Sequence, residues 1–421
     1  MASPAPMFEL WKHCPQLACG EPIEPGDATR SCPHCRSGYK VCPTCRATNR
    51  LLVEHCRGCG RTLGADAWPT HAGLKAPAQG RASIKTLGQN FSRHLDAQVV
   101  CPPLASDRLV FVPQLDGQIA VLQEDDGKQL GSLHAGGRIE ATPVLCAGAL
   151  FVAAGRSLRA FDLYEYLDQP SKEGTRPFWS REAAGDTVIQ PLVADERAVY
   201  FVSRRGREAT LEAANSADGS PAWPEPVSLH TQATHPPVVV NDTLVVVAFD
   251  GHVYVVRRET GRLESFSINY RISPQVYPCV SEAGLLLADP DGLVYELVID
   301  HRGAHVNQLF DHGVPLTGIA AGGGLIALAH NSGLTLLTSN GSLRWRFDSF
   351  DSFSVPPLVA GRSVFALNDT GDGMLFDELN GNPQAKARML AGSEIVAPPV
   401  MTEKRIVAVS GEGKAAFLDW Q

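Results

Sequence analysis

From about residue 99 onward the chain alternates short apolar runs with tight polar turns, and the runs return at one period. Residues 109–122 read LVFVPQLDGQIAVL, residues 244–256 LVVVAFDGHVYVV and residues 285–298 LLLADPDGLVYELV. Each is a pair of apolar strands joined at Asp-Gly, a dipeptide that accepts the positive φ a tight hairpin needs. A second bend follows in several units, at Asp126-Gly127, Asp218-Gly219, Thr260-Gly261, Asn340-Gly341 and Asn380-Gly381. No run repeats with the 3.6-residue spacing of an amphipathic helix. Pro103, Pro143, Pro191, Pro237, Pro278, Pro357 and Pro399 head successive units, with Gly318 in the equivalent place of the sixth, and neighbouring anchors lie 39 to 48 residues apart. Four antiparallel strands in about forty residues, eight times over, predict an all-β eight-bladed β-propeller. The alternative is seven blades, should the loop-rich stretch 160–190 be misassigned. The last unit ends at Trp420-Gln421, one strand short. The segment around Ser83–Phe91 is the natural donor of that strand, which would join both ends of the chain in one blade and leave no open sheet edge.

The first eighty residues follow a different pattern. They carry eight of the eleven cysteines, as Cys14-Pro-Gln-Leu-Ala-Cys19, Cys32-Pro-His-Cys35, Cys42-Pro-Thr-Cys45 and Cys56-Arg-Gly-Cys59. Closely spaced cysteines on a turn place two sulfurs on one metal, and two such turns complete a tetrahedral zinc site. Spacing assigns Cys14, Cys19, Cys32 and Cys35 to one Zn²⁺, and Cys42, Cys45, Cys56 and Cys59 to the other. A cross-braced pairing of the first and third turns is the alternative. Four thiolates leave no open coordination position, so both metals are expected to be structural and to supply the folding energy of a small core. Residues 8–64 are similar to double zinc ribbons, although the first pair has four intervening residues instead of two. The expected organisation is a double zinc ribbon at 1–64, a flexible Gly/Ala/Pro-rich linker at 65–82 and the propeller at 83–421.

The repeat units resemble the PQQ-type propeller repeat. Asp250-Gly251 through Glu259-Thr260-Gly261 carry the likeness, as do Gly341 to Trp345 and Gly219 to Trp223. The resemblance implies a fold rather than a chemistry. Quinoprotein dehydrogenases, one branch of that group, are exported and bear a disulfide between adjacent cysteines, and this chain has no Cys-Cys pair. No PQQ is expected.

Composition narrows the function classes. Of 421 residues 44% are hydrophobic and 19% charged, with 39 Gly and 30 Pro, as expected of a turn-rich folded chain. The net charge is −8 overall. Residues 1–75 hold nine Lys/Arg and six Asp/Glu, so the propeller part is acidic and a poor general binder of nucleic acid. Arg36, Lys40, Arg46, Arg50, Arg57 and Arg61 make the second ribbon locally basic, but eight thiolates and two zinc ions bring the loaded module close to neutral. No phosphate loop, Gly-x-Ser-x-Gly elbow or His-Glu-x-x-His is present. His230, His235, His301, His305 and His312 fall in loop-rich stretches and read as solvated, as do Arg204, Arg205 and Arg207. Cys101, Cys146 and Cys279 sit singly in apolar runs and read as buried small hydrophobes. The opening residues MASPAPMFELWKHCPQ lack a basic-then-apolar export pattern, no apolar run reaches the length of a membrane span, and cysteine pairs suit a reducing compartment, so a cytoplasmic location is expected.

Taken together, these features predict a non-enzymatic cytoplasmic adaptor. Protein partners would dock on the propeller and on the tethered zinc module, as in a prokaryotic multi-protein system, an ATPase-containing complex being one form. The alternative is a nucleic-acid-associated factor that uses the second ribbon.

Overall fold

Eight four-stranded antiparallel sheets follow one another along the chain. The computed structural model describes residues 39–41, 48–50 and 84–421, apart from 107–108, 147, 164–175, 196, 231–233, 241, 269, 301–302 and 403. Cys14, Cys19, Cys32, Cys35, Cys42, Cys45, Cys56 and Cys59 lie outside the described residues, as does the segment 65–82. Ahead of the propeller, Tyr39–Val41 pairs antiparallel with Thr48–Arg50.

Blades are numbered in chain order by their innermost and outermost strands. Blade 1 runs from Leu104–Ser106 to Gln129–His134, and blade 2 from Val144–Cys146 to Trp179–Glu182. Blade 3 runs from Thr187–Ala194 to Val227–Ser228, and blade 4 from Val238–Val240 to Leu263–Ser267. Blade 5 runs from Cys279–Val280 to Gly303–Asp311, blade 6 from Leu316–Gly322 to Leu343–Asp348, and blade 7 from Leu358–Ala360 to Pro383–Arg388. Blade 8 takes Val400–Met401, Arg405–Val409 and Lys414–Trp420 from the end of the chain, and its outermost strand, Leu87–His94, from before blade 1. The expected donor strand around Ser83–Phe91 is therefore this one, displaced by a few residues, with Leu87 opposite Trp420 and His94 opposite Lys414. Eight blades are formed, not seven.

Among the described residues the apolar side chains form eight clusters, each between two successive blades. Leu109 and Phe111 pack toward blade 2, while Val110 and Val112, one residue along the same strand, pack toward blade 8. The period-2 alternation of a strand thus serves two interfaces, which is why Leu109–Pro113 is buried along its whole length. The cluster between blades 8 and 1 closes the ring through Val99, Val407 and Phe417. Phe91 stacks on Phe417 at 4.9 Å between ring centroids, so the closing strand is anchored by packing as well as by pairing.

The Gly and Trp of the repeat meet across blade boundaries. Trp179 of blade 2 donates its indole N–H to the Ser216 carbonyl of blade 3 at 2.9 Å and lies over Gly219. Trp223 repeats this on Arg258 and Gly261 of blade 4 at 2.8 Å, and Trp345 on Glu378 and Gly381 of blade 7 at 3.1 Å. A Cβ on Gly381 would lie 2.5 Å from the Trp345 ring, so the glycine is needed for the approach as well as for its φ of +70°. At Gly318 a Cβ would meet the Pro356 backbone of blade 7 at 2.6 Å, which accounts for glycine where the other units have proline.

Candidate functional site

Both the connections between blades and the turns between second and third strands lie on one face of the ring. The hydrogen bonds show it: Ala135, Ile268, His312, Met389 and Leu95, each following an outermost strand, donate N–H to the turn glycines Gly117, Gly251, Gly292, Gly371 and Gly413 of the same blade. Aspartates shape these turns locally, as where Asp116 and Asp250 accept the N–H two residues on, from Gln118 and His252, at 3.0 and 3.1 Å. The turns present Asp116, Asp250, Asp291, Asp369 and Glu412 to solvent. Blade 3 differs, presenting the exposed Arg204, Arg205 and Arg207, of which Arg205 donates to the Ala184 carbonyl.

The same face carries exposed apolar side chains. Tyr270 (39% exposed) and Tyr277 (55%) precede blade 5, Val314 precedes blade 6, and Phe350, fully exposed, precedes blade 7. Tyr277 is held from behind, because His235 packs edge-on to it at 5.7 Å and to Phe249 at 4.8 Å. Exposed aromatics on a rigid scaffold are the usual anchors of a protein interface.

Tyr277 also borders a central cavity of about 320 Å³, lined by residues of the inter-blade connections and innermost strands. Three of the anchor prolines, Pro237, Pro278 and Pro357, line it together with Pro102, Pro236, Pro356 and Pro398. The lining also contains Cys101 of the connection to blade 1 and Cys279 of blade 5. Burial raises both thiols, Cys279 to about 12, so both are neutral at physiological pH. The expected burial holds for Cys101, whereas Cys146 and Cys279 are only half-buried, Cys279 because it faces the cavity.

The histidines divide. His230 and His305 are exposed as expected, and His301 lies outside the described residues. His235 and His312 are instead buried, and solvation is the wrong reading for them. His235 Nε2 lies 2.9 Å from the Ser273 carbonyl, and burial lowers its pKa to about 4. His312 Nε2 lies 2.9 Å from the Thr335 hydroxyl, and its ring centroid is 4.5 Å from that of buried His330. Burial and then His330 lower His312 to about 4, and burial lowers His330 as well. Among the described residues no three His, Cys, Asp or Glu side chains converge as a metal site. No helix among them is long and apolar enough to cross a membrane.

Comparison with known proteins fits this architecture. A PQQ-like repeat model described as outer membrane protein assembly factor BamB matches residues 169–266. The outer membrane protein assembly factor BamB of Moranella endobia is 22% identical over 327 residues, covering 76% of this chain and 74% of its own length. The crystal structure of BamB from Moraxella catarrhalis superposes with a TM-score of 0.59 at 13% identity, over 79% of this chain and all of that one. The quinohemoprotein alcohol dehydrogenase ADHIIG of Pseudomonas putida HK5 does so with a TM-score of 0.60 at 11% identity, covering 79% of this chain and 76% of that one. These likenesses support a β-propeller fold with PQQ-like repeats for this chain.

Proposed function

We propose that the protein is a non-enzymatic adaptor that docks a protein partner on the face bearing the inter-blade connections. The observation that carries this reading is the group of exposed apolar side chains Tyr270, Tyr277, Val314 and Phe350, set on short connections of a rigid ring. A relative described as an assembly factor points the same way. The likeness to a quinohemoprotein dehydrogenase invites an enzymatic reading, but the cavity does not fit the quinone. Pyrroloquinoline quinone is a tricarboxylate, and burying carboxylates requires cations. The described lining has no Lys, Arg or His; its charge-bearing side chain is Glu140, itself an anion.

The second half of the reading concerns the paired cysteines. We infer that they hold two structural zinc ions and form a second docking surface in a reducing, cytoplasmic setting. Such a chain belongs in a prokaryotic multi-protein assembly. The test is affinity capture from the native host with wild-type chain and with Phe350→Asp and Tyr277→Ala, combined with metal analysis. Wild type should recover a reproducible protein partner and carry two zinc ions per chain. The face variants should keep the zinc and the melting temperature but lose at least about tenfold of the partner, the usual effect of removing an interface anchor. Equal recovery by the variants removes the docking reading, and a chain without zinc removes the metal reading.

A further inference from the structure

We propose that the central cavity is a binding site for a small, uncharged, largely apolar molecule. Its volume of about 320 Å³ lies at the lower end of the range of small-molecule sites. The argument rests on what the lining offers once its own hydrogen bonds are counted. Thr142 Oγ1 donates to the Pro102 carbonyl at 3.2 Å, and Thr317 Oγ1 to the Phe353 carbonyl. Ser354 Oγ donates to the Asp369 carboxylate at 2.5 Å. These three hydroxyl protons of the wall are therefore already taken by acceptors of the protein. Glu140, at the rim, is paired with Arg138 at 2.9 Å. The remaining surface is proline rings, aliphatic side chains and two neutral thiols. The Tyr277 hydroxyl and the Gln275 amide make no side-chain hydrogen bond among the described residues, and both lie at the same side of the cavity.

Such a lining selects by charge. An anion would lose its hydration without gaining a cationic partner, and the carboxylates nearest a cation, Glu140 and Asp369, are already engaged by Arg138 and Ser354, whereas an apolar body loses little and gains contact with the walls. The free hydroxyl and amide can orient one polar atom of the guest. This inference stands apart from partner docking, because the cavity exists whether or not the face is occupied.

Three isosteric fluorescent probes test it: 1-naphthol, naphthalene-1-carboxylate and 1-naphthylmethylammonium, titrated at pH 7 into the full chain. The expected result is saturable binding of one 1-naphthol per chain, at least tenfold tighter than either ion. Val100 lines the cavity and is 40% exposed, so Val100→Trp should fold normally and fill the space. That variant should lose naphthol binding at least tenfold with an unchanged melting temperature. Equal binding of an ion, or binding that survives Val100→Trp, overturns the proposal. If Val100→Trp does not fold, Tyr277→Phe is read instead. Removal of the free hydroxyl should weaken naphthol at least threefold, and no change overturns the proposal. A captured partner that competes directly with naphthol would reassign the cavity to one of its own side chains and so overturn it too. A ternary complex supports it.

Discussion

Protonating His235 would put a cation between Phe249 and Tyr277, at a site only 1% exposed. Its pKa of about 4 in the fold lies below the 6.5 of an unfolded chain, so the folded state prefers the neutral ring. The associated stability is complete above about pH 6.5 and is lost as pH falls toward 4. At pH 4 the loss from His235 alone is about 3 kcal/mol. His312 and His330 act in the same direction, since both are lowered by burial. Denaturant unfolding at pH 7 and pH 4 should show this loss, and His235→Gln should reduce it by about 3 kcal/mol while lowering stability at pH 7. An unchanged difference between the two pH values in the variant would assign the acid sensitivity elsewhere. The sequence did not reveal the burial of His235 and His312, because each sits in a loop and its surroundings come from elsewhere. The acceptor for His235 is Ser273, in the next inter-blade connection, and the partner of His312 is Thr335, in the next blade. A solvated loop histidine and a buried one have the same local sequence.

Strands and turns were far easier to read, because each blade is made of contiguous chain. The Asp-Gly bends and second Gly bends all became turns, with positive φ at Gly117, Gly251 and Gly292 and at Gly127, Gly219, Gly261, Gly341 and Gly381. What spacing could not show was why the Gly-x-x-x-Trp piece recurs. The glycine belongs to one boundary and the tryptophan to the next. Trp223 follows Gly219 in sequence, yet Gly219 carries Trp179, while Trp223 covers Gly261. The motif is thus half of two contacts, and such contacts fasten blade 2 to 3, blade 3 to 4 and blade 6 to 7. Trp223 is 4% exposed, so Trp223→Ala removes a large buried side chain and should cost about 3–5 kcal/mol. Trp223→Phe keeps most of the area but drops the hydrogen bond to the Arg258 carbonyl, a net loss of about 1 kcal/mol. Chemical denaturation of the two variants checks the order, and a Phe variant as damaged as the Ala variant would show that the N–H, not the packing, fastens the blades.

Closure of the ring depends on the one blade that sequence order does not supply as a unit. Its strand Leu87–His94 covers Lys414–Trp420, which would otherwise be an open edge. That edge is apolar: Ala415, Ala416, Phe417 and Leu418 are all buried, and Phe417 rests against Phe91. Arg405 adds a cation over the Phe91 ring at 4.6 Å, and the Lys85 N–H is bonded to the carbonyl of Gln421. Among the described residues, 84–94 hold blade 8 and its seam with blade 7, where Ile84 is 2% exposed. Two truncations separate the possibilities. A chain beginning at residue 83 should remain monomeric and melt within a few degrees of the full chain. A chain beginning at residue 95 should expose the edge of blade 8 and associate or aggregate at micromolar concentration. Sedimentation of both shows which residues complete the ring. A monomeric, cooperatively melting chain lacking residues 84–94 would mean that seven complete blades hold the eighth without its outer strand, and that closure by packing, through Val99, Val407 and their neighbours, outweighs closure by pairing.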